Sequence, residues 1–166
     1  MNIYLIGFMG TGKTTVGKLL AERLNKRFSD LDDLIVQKAE KSIADIFRED
    51  GEEEFRRLET EVLKTVNELD DYVIATGGGV LTTGGNYEIM KSNGVLITLA
   101  ASPEAIYERL KNDNTRPLLV VDNVLDEIKR LLFERAPLYI KADYIVDTTE
   151  RAVEEIVEEI IGYLND

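Results

Sequence analysis

Apolar positions along the chain fall into two alternating rhythms. Asn2-Ile3-Tyr4-Leu5-Ile6 is a short apolar, β-branched run of the kind buried on both faces of a parallel sheet. Residues 72–76, 95–99 and 144–146 repeat that character, and the shorter segment 28–30 reads as a further strand. Between these runs the spacing changes to three and four residues: Val16, Leu19, Leu20 and Leu24; Phe55, Leu58, Val62 and Val66; Ile106, Tyr107 and Leu110; Leu125, Ile128, Leu131 and Leu132; Ile156, Val157, Ile160 and Ile161. Each set forms one stripe along a helix. Five strands alternating with amphipathic helices predict a three-layer α/β domain with a parallel sheet and right-handed crossovers.

Capping and breaking residues set the expected ends of these elements. Ser42-Ile43-Ala44-Asp45 resembles a capping box opening a short helix through Arg48, and Gly51 reads as its stop. The next helix opens on Glu52-Glu53-Glu54, whose charge suits a helix N-terminus. Ser102-Pro103-Glu104 is a helix start with Ser as cap and Pro in the first turn, and Gly84-Gly85 reads as a loop before a helix near Asn86. Another helix is expected to begin near Leu34 with Asp33 as its cap, and one more to end at Arg135, before Ala136-Pro137. Residues 111–119 break the pattern with polar turn formers; they read as a mobile flap carrying Arg116 or, equally, as a plain surface loop.

Composition narrows the chemistry. The chain has 166 residues, one domain's worth, without repeats, low-complexity segments or linker-like stretches. Its 32 acidic and 20 basic side chains give a net charge of −12, which opposes binding to nucleic acid or an anionic membrane surface. Neither cysteine nor histidine occurs, so thiolate metal sites are excluded and general-base work falls to carboxylates or Lys. The chain opens directly on a strand, without a basic segment and apolar run, and no apolar run approaches membrane-spanning length. The cytoplasm is the expected compartment.

Against this background one stretch stands out. Gly7-Phe8-Met9-Gly10-Thr11-Gly12-Lys13-Thr14 lies between the first strand and the first helix with the spacing G-x-x-x-x-G-K-[ST]. Glycines allow successive backbone N–H groups to turn toward a phosphate, a Lys reaches the terminal phosphates, and the Thr hydroxyl can hold Mg²⁺. Asp30 and Asp32 fall at the C-terminal end of the second strand, the edge of an open α/β sheet where ligands bind. A magnesium-nucleotide site needs a nearby carboxylate, which favours function over capping for these two. Gly77-Gly78-Gly79 follow the third strand and permit either close approach of a ligand or a sharp turn. Arg56 and Arg57, taken alone, read as solvated helix residues.

Together these pieces resemble the shikimate kinases, small P-loop kinases related to the nucleoside monophosphate kinases. The resemblance spans nearly the whole chain. It rests on the phosphate loop, Ser29-Asp30-Leu31-Asp32, Gly51-Glu52-Glu53-Glu54-Phe55-Arg56, Thr76-Gly77-Gly78-Gly79, Arg116-Pro117-Leu118-Leu119 and Arg135-Ala136-Pro137-Leu138-Tyr139. It implies a P-loop NTPase sheet in the order 2-3-1-4-5 and transfer of the ATP γ-phosphoryl group to the 3-hydroxyl of shikimate, a step of aromatic amino acid biosynthesis, with Mg²⁺ as cofactor. It also implies a single kinase domain over residues 1–166, with a substrate-binding helical region at about 32–60 and a lid at about 111–123.

Carried onto this sequence, the resemblance has Gly10, Thr11, Gly12, Lys13, Thr14 and Thr15 wrap the β-phosphate, with Thr14 and Asp30 around Mg²⁺. Asp32 would hydrogen-bond the acceptor hydroxyls and serve as base, Arg56 and Arg135 would clamp the shikimate carboxylate, and Gly78 and Gly79 would offer backbone N–H groups. Arg116 would reach the phosphates from the lid, while Arg109 and Arg151 would flank the adenine. Lys13, Asp32 and Arg116 form the expected catalytic set; the expected partners are small molecules only, and the expected state is a monomer. The polar Asp113-Asn114 in the lid and Glu150 in the adenine loop depart from the family pattern.

Phosphoryl transfer through a loose transition state needs positioning and positive charge more than a strong base, which Lys13, Arg116 and Mg²⁺ would supply. A hydroxy acid needs a carboxylate receptor, and Arg provides a bidentate one. The rival readings are a kinase for gluconate or a nucleoside monophosphate, against which the two-arginine clamp and triple glycine argue. A nucleotide-binding module without catalysis is the other alternative, opposed by Lys13, Asp30, Asp32 and Arg116.

Overall fold

The protein is represented by a computed structural model that describes residues 1–111 and 122–166. Five strands, β1 (Asn2–Ile6), β2 (Arg27–Asp30), β3 (Tyr72–Ala75), β4 (Gly94–Ala100) and β5 (Tyr144–Asp147), form one sheet in the order β2-β3-β1-β4-β5. Every neighbouring pair is parallel, with Tyr4 opposite Ile74 on one side and Leu96 on the other. β1 is the central strand and all of its residues are buried. Its side chains alternate between two cores, Tyr4 and Ile6 facing one and Ile3 and Leu5 the other, which explains why a buried parallel strand reads as an unbroken apolar run.

Helices cover both faces. On the Leu5 side, α1 (Lys13–Arg23) contributes Val16 and Leu20, and α7 (Val153–Leu164) contributes Ile156, Val157 and Ile160. On the Tyr4 side lie α2 (Leu31–Ala39), α3 (Ile43–Asn67), α4 (Asn86–Ser92), α5 (Pro103–Leu110) and α6 (Val124–Tyr139). This is the expected three-layer P-loop NTPase architecture. Among the described residues, no helix is long and apolar enough to cross a membrane.

Several local expectations hold for the stated reasons. Ser42 and Ser102 cap α3 and α5 through their hydroxyls, which accept the N–H groups of Asp45 and Ala105, each at 3.1 Å. Gly51, at φ 88° and ψ 168°, breaks α3 into the two helical segments expected on either side of it. The bend brings the rings of Phe47 and Phe55 to 4.8 Å, one from each segment.

Three boundaries differ. α1 begins at Lys13 rather than Thr15, because left-handed Gly12 (φ 95°) turns the chain directly into the helix. α2 begins at Leu31, and its cap is Asp30 rather than Asp33, with Asp30 Oδ1 accepting the Asp32 N–H at 2.9 Å. α6 continues past Arg135 through Pro137 to Tyr139. A proline there removes only the N–H that would bond the Phe133 carbonyl, and Phe133 stands exposed, where water can serve instead.

Candidate active site

The C-terminal ends of β1, β2 and β3 converge on two adjoining cavities. The smaller, about 180 Å³, is lined by Gly10, Gly12, Lys13, Thr14 and Thr15 of the phosphate loop and by Asp30, Asp32 and Thr76. Gly10 and Gly12 have φ of 80° and 95°, left-handed values that L side chains rarely adopt, so the loop's curvature depends on glycine at these places. Thr11 is buried and donates its hydroxyl to the Phe8 carbonyl at 2.8 Å, so its side chain braces the loop. Lys13 Nζ donates to the carbonyls of Gly7 and Phe8, which lays the ammonium across the loop.

Thr14 Oγ1 donates to Asp30 Oδ2 at 2.9 Å. Asp30 therefore caps α2 with one oxygen and meets the phosphate-loop threonine with the other. Although β2 ends at Asp30, Asp32 stays in the site because it occupies the first turn of α2, and both carboxylates line both cavities. A hydroxyl and a carboxylate are hard oxygen donors suited to Mg²⁺, so this pair fits the expected ion. No group of three Asp or Glu that could hold a metal occurs among the described residues, so phosphate oxygens of a nucleotide would have to complete the coordination.

The larger cavity, about 570 Å³, opens between α2, α3 and the glycine loop after β3, with Arg56, Glu59, Asp32 and Arg135 supplying its charges. The helix separates the two candidate arginines: Arg56 is 13% exposed, whereas Arg57, one step round, is 61% exposed and pairs with Glu54 and Glu61 on the surface. Arg135 enters from α6, 7% exposed, with its guanidinium 5.7 Å from the centre of the Phe8 ring. Its Nη1 is buried and has no hydrogen-bond partner among the described residues. A buried guanidinium N–H left open is costly unless a ligand takes it.

Gly77 to Val80 form a tight turn closed by Val80 N–H on the Gly77 carbonyl at 3.2 Å, and since none of the three glycines has a positive φ, the turn itself does not require glycine. A Cβ at Gly79 would lie 2.4 Å from Arg56 Nη2, and one at Gly78 would lie 3.4 Å from Arg135 Nη1. Gly79 thus makes room for the Arg56 guanidinium, whereas at Gly78 the contact with Arg135 would be an ordinary one.

Sequence reasoning missed Glu59. It is fully buried, and its Oε1 accepts from Arg56 Nη1 at 2.9 Å. Burial pushes its carboxyl pKa up, with Arg56 acting in the opposite direction. Its signal lay in the spacing: Glu59 follows Phe55 by four residues, on the apolar stripe rather than the polar face.

Arg109 and Arg151 lie on the other side of the phosphate loop. Arg109 donates to the carbonyls of Gly10 at 2.8 Å and Thr148 at 3.2 Å, while Arg151 donates to that of Asp147 at 2.8 Å and pairs with Glu159. Neither lines the phosphate cavity. Arg116, and the lid expected at about 111–123 for its residues 112–121, lie outside the described residues.

A family model described as shikimate kinase matches residues 9–165. The shikimate kinase of Thermodesulfovibrio yellowstonii is 48% identical over 160 residues, covering 96% of this chain and 92% of that protein. That of Geobacter sulfurreducens is 45% identical over 165 residues, covering 99% and 91%. The solved structure of a shikimate kinase from Acinetobacter baumannii in complex with shikimate superposes with a TM-score of 0.95 at 40% identity, covering 98% of this chain and 92% of that one. The chain belongs to the shikimate kinase family.

Proposed function

We propose that this protein transfers the γ-phosphoryl group of ATP to the 3-hydroxyl of shikimate, giving shikimate 3-phosphate and ADP. The observation that carries the reading is the open, buried Nη1 of Arg135 in the larger cavity, beside Arg56 and the glycine loop. A small acid with hydroxyl groups satisfies that arrangement, its carboxylate between the two guanidinium groups and its hydroxyls toward Asp32.

In this reading the loop N–H groups from Gly10 through Thr15 and the N-terminus of α1 take the β-phosphate, and Lys13 leaves its carbonyl contacts for the terminal phosphates. Thr14 and Asp30 would hold Mg²⁺, which would supply neutralising charge to the phosphates. Asp32 lies where the two cavities join, so it faces the acceptor hydroxyl while the nucleotide phosphates are in place. It orients that hydroxyl and receives its proton. Gly78 and Gly79 offer N–H groups to the acceptor, and Arg109 and Arg151 border the adenine. Residues 32–60 serve as the substrate-binding helical region of a single domain. The proposed state is a monomer, in the cytoplasm, where ATP is available.

An ADP-release assay with ATP-Mg²⁺ tests the proposal against shikimate, quinate, gluconate and nucleoside monophosphates. Shikimate-dependent turnover well above the others is the expected result. Equal or greater turnover with another acceptor, or none with shikimate, would overturn it.

A further inference from the structure

The last turn of α6 carries two side chains toward the glycine loop. Arg135 reaches the acceptor cavity, and Tyr139, one turn later, donates its hydroxyl to the Gly78 carbonyl at 2.6 Å. Tyr139 is 8% exposed, and its own carbonyl accepts the Thr98 hydroxyl of β4 at 2.7 Å. The phenol is therefore held at both ends, by the sheet through its backbone and by the glycine loop through its oxygen.

The direction of approach matters. Tyr139 does not line the acceptor cavity; it borders a separate apolar cavity of about 240 Å³ between α6, β4 and β5. Its hydroxyl takes the Gly78 carbonyl and lies beside the Arg135 guanidinium. Among the described residues no peptide bond is cis. In a planar trans peptide the carbonyl of one residue and the N–H of the next point in opposite directions. Fixing the Gly78 oxygen on the Tyr139 hydroxyl accordingly fixes the Gly79 N–H on the opposite side of that peptide. Among the described residues, that N–H has no hydrogen-bond partner, and Gly79 lines the acceptor cavity. The rest of the turn is pinned by Val80 N–H donating to the Gly77 carbonyl at 3.2 Å and by the Thr82 hydroxyl donating to the Gly79 carbonyl at 2.6 Å.

We propose that Tyr139 is a positioning residue: its hydroxyl sets the Gly78–Gly79 peptide plane so that the Gly79 N–H meets an oxygen of the acceptor bound between Arg56 and Arg135. The inference rests on the proposed acceptor reading. Two glycines in succession have wide conformational freedom, so this plane would otherwise sample several orientations. The hydroxyl is suited to the task because burial pushes its pKa up, keeping it a neutral donor. The arrangement also couples two acceptor contacts, since one helical turn aims the Arg135 guanidinium and, through Tyr139, the Gly79 amide.

Tyr139→Phe tests this by removing one oxygen and keeping the ring. The expected result is a rise of about tenfold in the KM for shikimate, with the KM for ATP unchanged and kcat altered less than about threefold. An unchanged shikimate KM would overturn the inference, as would an equal rise in both KM values, which would mean general loosening. Amide NMR of the unaltered protein decides the matter if the variant does not fold. Adding shikimate should shift the Gly79 N–H resonance strongly; an unmoved resonance would contradict the role assigned to it. Wild-type protein without shikimate turnover would remove the functional reading and this inference together, whereas normal wild-type turnover with a normal variant KM would remove this inference alone.

Discussion

The two halves of the site are made differently. The proposed phosphate end is a contiguous loop that would recognise its ligand through backbone N–H groups, one lysine and the start of α1. The proposed acceptor end is assembled from α2, α3, the loop after β3 and α6, and the groups proposed to recognise the acceptor are side chains: Asp32, Arg56 and Arg135, with buried Glu59 behind them. Backbone recognition suits a ligand part shared by all nucleotides. Distant side chains suit the part that distinguishes one acceptor from another. The same division implies that damage to the first half should act on turnover with any acceptor, and damage to the second on one acceptor's KM.

The largest effect should come from the phosphate half. Lys13→Ala is expected to lower kcat by about 10³-fold, because it removes the loop's charge from the transferring phosphoryl group. Single-turnover kinetics would measure the loss, and a fall smaller than about tenfold would break the division of labour. Asp32→Asn, at the junction, should lower kcat by about 10²-fold while the protein stays folded.

Glu59→Gln sharpens the acceptor half. It keeps the shape but loses the charge that holds Arg56, so the shikimate KM should rise about fivefold. It also has a pH signature. Because burial raises the folded-state pKa of Glu59, folding favours its protonated form. The stability this adds is present below the ordinary glutamate range and fades as pH rises through the raised value. Thermal midpoints from about pH 4 to 8 should therefore decline in the wild type more than in Glu59→Gln. Arg56, Asp32 and Arg135 face the same carboxyl and set where the decline falls. The smallest effect is expected at Arg57→Ala, where only exposed pairs with Glu54 and Glu61 are lost, and both KM values should move less than about twofold.

The same contrast governs what can be read from sequence. The phosphate loop is local, and its residues announce themselves by spacing. The strands are nearly as legible, because burial on both faces leaves unbroken apolar runs such as that of β1. Asp30 and Asp32 were recognisable from their place at a strand end, although the capping function belongs to Asp30 and not to Asp33. The acceptor half was less open. Arg56 and Arg57 look alike in a sequence, and only the helix's rotation and the position of Gly79 separate them. Glu59 was hidden because its meaning depends on Arg56 and on burial that propensity does not express. Tyr139 was hidden by Pro137, which suggested that α6 stopped before it.

Arg135 is proposed to receive the acceptor's carboxylate and to take no part in nucleotide binding. Steady-state kinetics of Arg135→Ala, with ATP and shikimate varied in turn, test it most directly. The expected result is a shikimate KM raised about 100-fold with the ATP KM changed less than about threefold. A comparable rise in both, or a rise for ATP alone, would contradict it.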